Sequence, residues 1–271
     1  MSKLSHRLAA CVCGLLLTAA LRAEPAVIGL ARAYLGPEST LDGIKTIHYV
    51  GSLDRIDPDH AATPLHMSLD MLFEKPMRQR LKARGEKVTL TTVLDDYEAW
   101  DWVQSNADPA QHQLKWLPAG DVRALRASTW ENLYYYRPPE GGAVEDKGPA
   151  TIDGVECEQV DFSHGAGTVY QRYFDRDTGR LVLTVRGPDA FRESGEIRVD
   201  GVRFPKMIVT QTKLPSGKQL VSTATFDSIV LNEPLPDADF AVPNPPAASL
   251  TRAAAPAPSA APAAPAPPAG K

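Results

Sequence analysis

Residues 65–73, LHMSLDMLF, alternate between large apolar side chains and mostly polar ones. The apolar members of the alternation are Leu65, Met67, Leu69, Met71 and Phe73. A period of two predicts a β-strand with one apolar face, because successive side chains of a strand point to opposite sides of the sheet. Methionine is flexible and suits irregular or adaptable surfaces. The stretch therefore predicts a sheet face that covers either the protein's own core or a bound apolar molecule.

The two ends of the chain differ in composition from the part between them. Residues 1–23 combine a positively charged start, an apolar run and a small-residue cleavage pattern ending at Ala23, as in a secretory signal peptide. Acylation of Cys11 is not expected, because the apolar run follows this cysteine instead of preceding it. Residues 244–271 are dominated by alanine and proline. They predict a disordered, extended tail, or a spacer that reaches a partner or the cell wall.

Residues 24–243 are predicted to form one exported domain. Removal of the signal peptide leaves Cys157 as the last of three cysteines, so packing rather than a disulfide must supply stability. No later segment is apolar over the length that a membrane-spanning helix needs. The net charge of −4, without a basic patch interleaved with aromatic residues, argues against nucleic acid as a partner. These features predict a periplasmic monomer.

Short strand-like segments separated by turn residues follow one another along this domain. They lie at 44–53, 65–76, 77–85, 87–96, 97–103 and 112–117, and then at 150–162, 168–185 and 195–231. Helical spacing is confined to residues 26–36 and 120–136. Successive hairpins predict an antiparallel sheet, and sparse helices predict packing on one of its faces. The predicted fold is mainly β with an α-helical lid (α+β), a strongly curved antiparallel half-barrel of about eleven strands with two or three short helices over the concave face.

Sequence motifs for catalysis or metal binding are absent. The six histidines form no short metal-ligand spacing, and no GxSxG, Walker or GxGxxG motif is present. The carboxylates of residues 94–102 fit a hairpin corner better than a paired-carboxylate site. The serine and histidine of residues 163–167 fit a glycine-rich loop, and Cys157 fits a buried strand position. The sequence therefore predicts no enzyme activity, no cofactor and no metal site, and a small hydrolase is the least favoured alternative.

The C-terminal part of the domain resembles a known family. The strand turn VDGVRFP (199–205), the ending FDSIVLNEPLPDADF (226–240) and the hairpin YFDRDTGRLV (173–182) are similar to those of the LolA/LolB-like carriers of bacterial outer-membrane lipoproteins. The early strand LDGIKTIHYVGSLD (41–54) stands in the expected order. The resemblance is strongest to the outer membrane lipoprotein-sorting proteins, and it covers most of 26–243.

The resemblance implies an unclosed β-barrel whose helices form a lid over a hydrophobic cavity. Members carry lipoprotein acyl chains across the periplasm or sense them. We therefore expect non-covalent binding of an acyl chain, a lipoprotein or another apolar ligand, and a donor or acceptor protein in the envelope. The alternative is an envelope sensor or interaction protein with the same fold and a filled cavity. The residues expected to line the cavity are Ile47, Tyr49, Leu65, Met67, Leu69, Met71, Phe73, Leu90, Leu94, Trp100 and Trp102.

Overall fold

The computed structural model describes residues 24–60, 62–165 and 167–243. The predicted signal peptide and the predicted tail lie outside the described residues. The helices in these ranges are α1 (Ala26–Leu35), α2 (Glu38–Gly43), α3 (Ala119–Leu133) and a short 3-10 helix (Asp237–Asp239). The strands are β1 (Thr46–Ile56), β2 (Leu65–Glu74), β3 (Arg78–Arg84), β4 (Val88–Asp95), β5 (Glu98–Ser105), β6 (His112–Trp116), β7 (Ala143–Ile152), β8 (Val155–Ser163), β9 (Val169–Asp175), β10 (Leu181–Arg186), β11 (Asp189–Ser194), β12 (Ile197–Val199), β13 (Val202–Phe204), β14 (Met207–Lys213) and β15 (Gln219–Leu231).

Thirteen of these strands form one curved antiparallel sheet, in the order β6-β5-β4-β3-β2-β1-β15-β14-β11-β10-β9-β8-β7. Most neighbours in this order are joined by hairpins, but β14 pairs with β11, and at the centre the last strand, β15, pairs with the first, β1. The edge strands β6 and β7 are not paired with each other, so the sheet stays open. Strands β12 and β13 form a separate hairpin. The predicted half-barrel is confirmed, with thirteen strands in its sheet where about eleven were expected.

A β-bulge bends the central strand pair. The pairing of β1 with β15 shifts register between Val50 and Gly51. A β-carbon on Gly51 would lie 2.0 Å from the carbonyl oxygen of Thr225, so only glycine fits this close approach. Because a bulge increases the local bend and twist of its strand, this position contributes to the curvature of the sheet.

The helices cover one side of the sheet, which we call the inner face. Helix α1 ends at Gly36-Pro37, as predicted, and buries Val27, Ile28 and Ala31 against β8 and β9. Helix α3 buries Ala127 in the same cluster. A second inner cluster combines Leu41 of α2 and Leu133 of α3 with β1, β2 and β15. The apolar faces of the helices and of the central strands therefore cover each other.

The opposite side of β2 to β5, the outer face, carries its own apolar cluster. Leu72, Val93, Trp100 and Trp102 are buried there. Trp100 lies directly opposite Val93 in the strand register and so shares its face. The segment that follows β15 covers this cluster with Phe240, which is 2% exposed. The outer face is thus partly a packed surface rather than a fully solvated one.

Two strand regions were not predicted. Strand β7 begins at residue 143 rather than near residue 150, and β11 was missed altogether. The early part of β7, AVEDKGP, and β11, DAFRES, are polar and lack an apolar alternation. β7 is an edge strand, and neither β7 nor β11 contains a buried residue. Periodicity detects a strand by its buried face, so strands of this kind escape it.

Candidate functional site

A cavity of about 120 Å³ lies between the inner face and the helices, and we call it the inner cavity. Its apolar walls come from the sheet, from α1 and from the loops around it: Leu35, Tyr49, Met71, Phe204, Ile208 and Phe226. Its polar wall is formed by Glu131, Arg172, Glu193 and Arg203. Tyr135 and Tyr136, which follow α3, contribute aromatic rings to the same space. The cavity is therefore amphipathic rather than purely apolar.

A second space of about 190 Å³ adjoins the inner cavity, and we call it the outer chamber. The two share Leu35, Tyr136, Glu193 and Phe204 among their lining residues. The remaining wall of the outer chamber includes charged side chains, those of Arg180 and Glu196 among them. Polarity therefore increases from the inner cavity to the outer chamber.

The predicted lining residues separate into groups in the structure. Tyr49 and Met71 line the inner cavity. Ile47, Met67, Leu69 and Phe73 belong to the core cluster around it and are covered by protein. Leu94 lies beneath α3 in a cluster with Met77 and Ala99.

Four predicted lining residues lie elsewhere. Leu65 and Leu90 are 47% and 38% exposed and line neither the inner cavity nor the outer chamber. Trp100 and Trp102 lie on the outer face with Phe240. The expectation for the two tryptophans was wrong. In residues 97–103 the side chain of Ala99 points to the inner face, and those of Trp100 and Trp102 point to the outer face.

A buried ion-pair network forms one end of the inner cavity. Glu131 of α3 contacts Arg172 of β9 and the Nε2 atom of His164, and the Glu131 and Arg172 side chains are 5% and 7% exposed. The guanidinium carbon of Arg172 lies 4.8 Å from the ring centre of Tyr136 and 5.0 Å from that of Phe162. Buried charges are costly unless they are paired, and here the pairing joins a helix of the lid to the sheet.

Glu193 of β11 is a carboxyl group on the wall shared by the two spaces. The residue keeps contact with solvent, but partial desolvation by the surrounding protein raises the pKa of this carboxyl, and the positive charge of Arg172 only partly offsets that rise. Burial likewise raises the pKa of the Tyr135 and Tyr136 hydroxyls. The cavity environment therefore favours the protonated form of each of these groups.

The chain segment after α3 is tied to α1 by a charged hub. Arg32, which is 4% exposed, donates hydrogen bonds from Nη1 to the carbonyl oxygens of Tyr135 (2.5 Å) and Tyr134 (3.3 Å). Its Nη2 atom donates to Glu38 (2.8 Å) and Asp42 (2.9 Å). The segment after α3, which together with the helices forms the roof of the inner cavity, is thus held by polar contacts as well as by apolar packing.

Sequence reasoning did not identify the polar residues of the cavity. Arg172 was detectable in principle, since it occupies the inner-facing phase of β9 between the buried Tyr170 and Phe174. Glu193 was out of reach, because its strand was not predicted. Glu131 lies on a predicted helix, but its neighbours come from strands distant in the chain.

Within the described ranges, no group of three or more histidine, cysteine, aspartate or glutamate residues is placed to hold a metal ion. No helix in the same ranges is long and apolar enough to cross a membrane.

Solved structures share this architecture. A DUF1329 family protein from Desulfovibrio piger aligns with a TM-score of 0.53 and 12% identity, over 80% of this chain and 96% of its own. A LolA superfamily protein from Nitrosomonas europaea aligns with a TM-score of 0.51 and 14% identity, over 78% and 97%. An outer membrane lipoprotein-sorting domain from Vibrio parahaemolyticus aligns with a TM-score of 0.51 and 9% identity, over 79% and 95%. Family models and curated proteins give no match.

The chain therefore has the LolA-like fold, an open curved antiparallel sheet with helices across its inner face. The predicted resemblance is confirmed at the level of the fold. At identities this low the likeness extends to the architecture, and function must be argued from the site.

Proposed function

We propose that the protein binds an acyl chain or another apolar ligand non-covalently between its curved sheet and its helices, as a carrier in the bacterial cell envelope. The observation that carries the proposal is the inner cavity, which lies where an open half-barrel meets its helical roof. Tyr49, Met71, Ile208 and Phe226 give it apolar walls from the sheet. The proposal includes no covalent step and no cofactor.

Ligand uptake requires the roof to move. Ligand pockets for small molecules usually measure about 300 to 1,000 Å³, and the inner cavity measures about 120 Å³. Displacement of the segment after α3 would break the hydrogen bonds that Arg32 donates to this segment, and it would enlarge the inner cavity. Each methylene group that then leaves water contributes about 0.8 kcal/mol, so one acyl chain is enough for useful affinity.

A cavity-filling variant tests the proposal. Ile208→Trp places a large ring in the inner cavity, whereas Val209→Trp places the same ring on the other side of the same strand. We expect uptake of a fluorescent fatty acid by the wild type and by Val209→Trp, and a loss of about tenfold or more in affinity for Ile208→Trp. Equal uptake by both variants would contradict binding at this site, provided that circular dichroism shows both to be folded.

The small size of the cavity favours a second candidate. In an envelope sensor or interaction protein the same fold would keep its roof closed and would use its surface to contact another protein. Absence of uptake of any apolar probe by the folded wild type would favour this candidate over the carrier.

The cellular context belongs to the proposal as well. We propose that residues 1–23 direct export to the periplasm and are removed, that residues 24–243 form the binding domain, and that residues 244–271 form an extended tail. The proposed partners are the acyl chain and a donor or acceptor protein of the envelope, and nucleic acid is not among them.

A further inference from the structure

We propose that the polar wall of the inner cavity is a site for an uncharged carbonyl oxygen, the ester or amide carbonyl that adjoins an acyl chain. This inference rests on the proposed function, because it assigns a head group to the apolar ligand. The juxtaposition that carries it is that of Arg172, Tyr135 and Glu193 around the same cavity.

Two hydrogen-bond donors that line the inner cavity have no partner in the described part of the chain. The Nε–H group of Arg172 and the hydroxyl group of Tyr135 are buried, and neither makes a hydrogen bond within the described part of the chain. Both residues are more than nine-tenths buried and both line the inner cavity. A buried donor left without an acceptor costs about 1–3 kcal/mol, so a ligand that supplies an acceptor oxygen recovers that loss.

The charges around the wall favour a neutral acceptor. The positive charge of Arg172 is already balanced by Glu131, with which it forms a buried ion pair. Glu193 makes no ion pair or hydrogen bond that would neutralise its carboxyl group within the described ranges, and it is the second acidic residue of the lining beside Glu131. A carboxylate ligand would therefore bring a third acidic group into the cavity. A carbonyl oxygen accepts the same hydrogen bonds without that repulsion.

The position of the wall orients the ligand. Glu193 and Tyr136 lie where the inner cavity adjoins the outer chamber, and the outer chamber carries charged side chains such as those of Arg180 and Glu196. A carbonyl group at this junction directs its acyl chain toward Met71 and Phe226 and its alcohol or amine part toward the outer chamber.

Three ligands of equal chain length test the inference by equilibrium dialysis of the full exported protein: methyl dodecanoate, dodecanoate and dodecane, each quantified by mass spectrometry. We expect methyl dodecanoate to bind about tenfold more tightly than dodecane, as one or two recovered hydrogen bonds predict. We expect it also to bind more tightly than dodecanoate at neutral pH.

Conservative variants locate the effect. Tyr135→Phe keeps the ring and removes the hydroxyl, so affinity for methyl dodecanoate should fall about three- to tenfold while affinity for dodecane stays unchanged. Tyr173→Phe, a half-buried position on the neighbouring phase of β9, is the control and should change neither. Glu193→Gln should raise the affinity for dodecanoate, because it removes a negative charge from the wall.

The outcomes separate the two proposals. Equal affinities for methyl dodecanoate and dodecane, tightest binding of dodecanoate, or identical behaviour of Tyr135→Phe and Tyr173→Phe would overturn the carbonyl site and leave apolar binding standing. Failure of all three ligands to bind the folded wild type would overturn the proposed function itself, and the carbonyl site with it.

Discussion

Glu193 gives the inner cavity a carboxyl group that keeps contact with solvent but is partly desolvated by the surrounding protein. Because this desolvation raises its folded-state pKa above the ordinary 4.5, the folded protein binds this proton more tightly than the unfolded chain does. Its contribution to stability is fully present below pH 4.5 and is lost as the pH rises through the folded-state pKa. We expect Glu193→Gln to be more stable than the wild type at pH 7 and to lose that advantage near pH 4, as measured by urea unfolding.

The control for this prediction is Glu86→Gln, which alters an exposed carboxylate in a turn. It should follow the wild type at both pH values. A Glu193→Gln variant that gains nothing at pH 7 would show that the Glu193 carboxyl is well solvated in the folded protein.

Gly51 makes a second prediction at the residue scale. The β-carbon of Gly51→Ala would lie 2.0 Å from the Thr225 carbonyl oxygen and 2.9 Å from the α-carbon of Phe226, so the central strand pair must shift. We expect a loss of about 1–3 kcal/mol in the free energy of unfolding. Gly29→Ala is the matched control, since Gly29 lies in α1 with no atom within 4 Å of an added β-carbon. It should stabilise the protein by about 0.5–1 kcal/mol.

At the scale of elements, α1 and the segment after α3 are joined through Arg32. Arg32→Met removes a donor to two backbone carbonyl groups and leaves that of Tyr135 unpaired, whereas that of Tyr134 still accepts from the backbone amide of Arg137; this should cost about 1–3 kcal/mol of stability. The same change should speed amide hydrogen exchange in residues 134–137, because the roof loses its tether. Arg137→Met is the control: Arg137 contacts the same carboxylates, Glu38 and Asp42, but is 40% exposed, and its loss should cost about 0–1 kcal/mol.

Hydrogen exchange distinguishes local opening of the segment after α3 from a general loss of stability. Faster exchange spread evenly over the whole sheet in Arg32→Met would contradict a local role, since it would indicate global destabilisation rather than opening of the roof.

Hairpins were predictable from local sequence because their turns are local. Asp153-Gly154 and Asp200-Gly201 both adopt positive φ angles at each residue, which is the backbone that aspartate-glycine favours in two-residue hairpin turns. The strand at residues 65–73 was predictable as well, because its alternation of apolar and polar residues is also a local signal. The pairing of β15 with β1 spans almost the whole domain and was not predicted, because no local turn joins these two strands.

The site was less predictable than the fold, because its residues meet only in three dimensions. Met71 and Tyr49 follow the apolar alternation and were found by it. The polar wall combines residues of helix α3, of strand β9, which has a charged residue on its inner side, and of strand β11, which has no apolar face. The tryptophans of β5 were misplaced, because alternation of residue type in that segment does not tell which phase faces the helices.

At the scale of the whole molecule, the segment after β15 closes the outer face. Phe240 packs on the cluster of Trp100 and Trp102, and the guanidinium carbon of Arg78 lies 4.0 Å from its ring centre. Phe240→Ala should cost about 3–5 kcal/mol and should shift tryptophan fluorescence to longer wavelength, because water then reaches the cluster.

Two truncations test the domain boundary. A chain that ends at residue 243 should match the full chain in its free energy of unfolding, whereas one that ends at residue 234 should be destabilised by at least as much as Phe240→Ala. Equal stability of the two truncated chains would contradict the packing role of the last described segment.

The central claim is that the space between the sheet and the helices holds an apolar ligand in the cell. Its most direct test is mass spectrometry of the organic extract from the protein purified from its native envelope without detergent. We expect a stoichiometric acyl-bearing molecule whose amount falls in Ile208→Trp and not in Val209→Trp. An extract that contains no such molecule, followed by no uptake of a fluorescent fatty acid, would contradict the claim and would favour a protein-binding role for this fold.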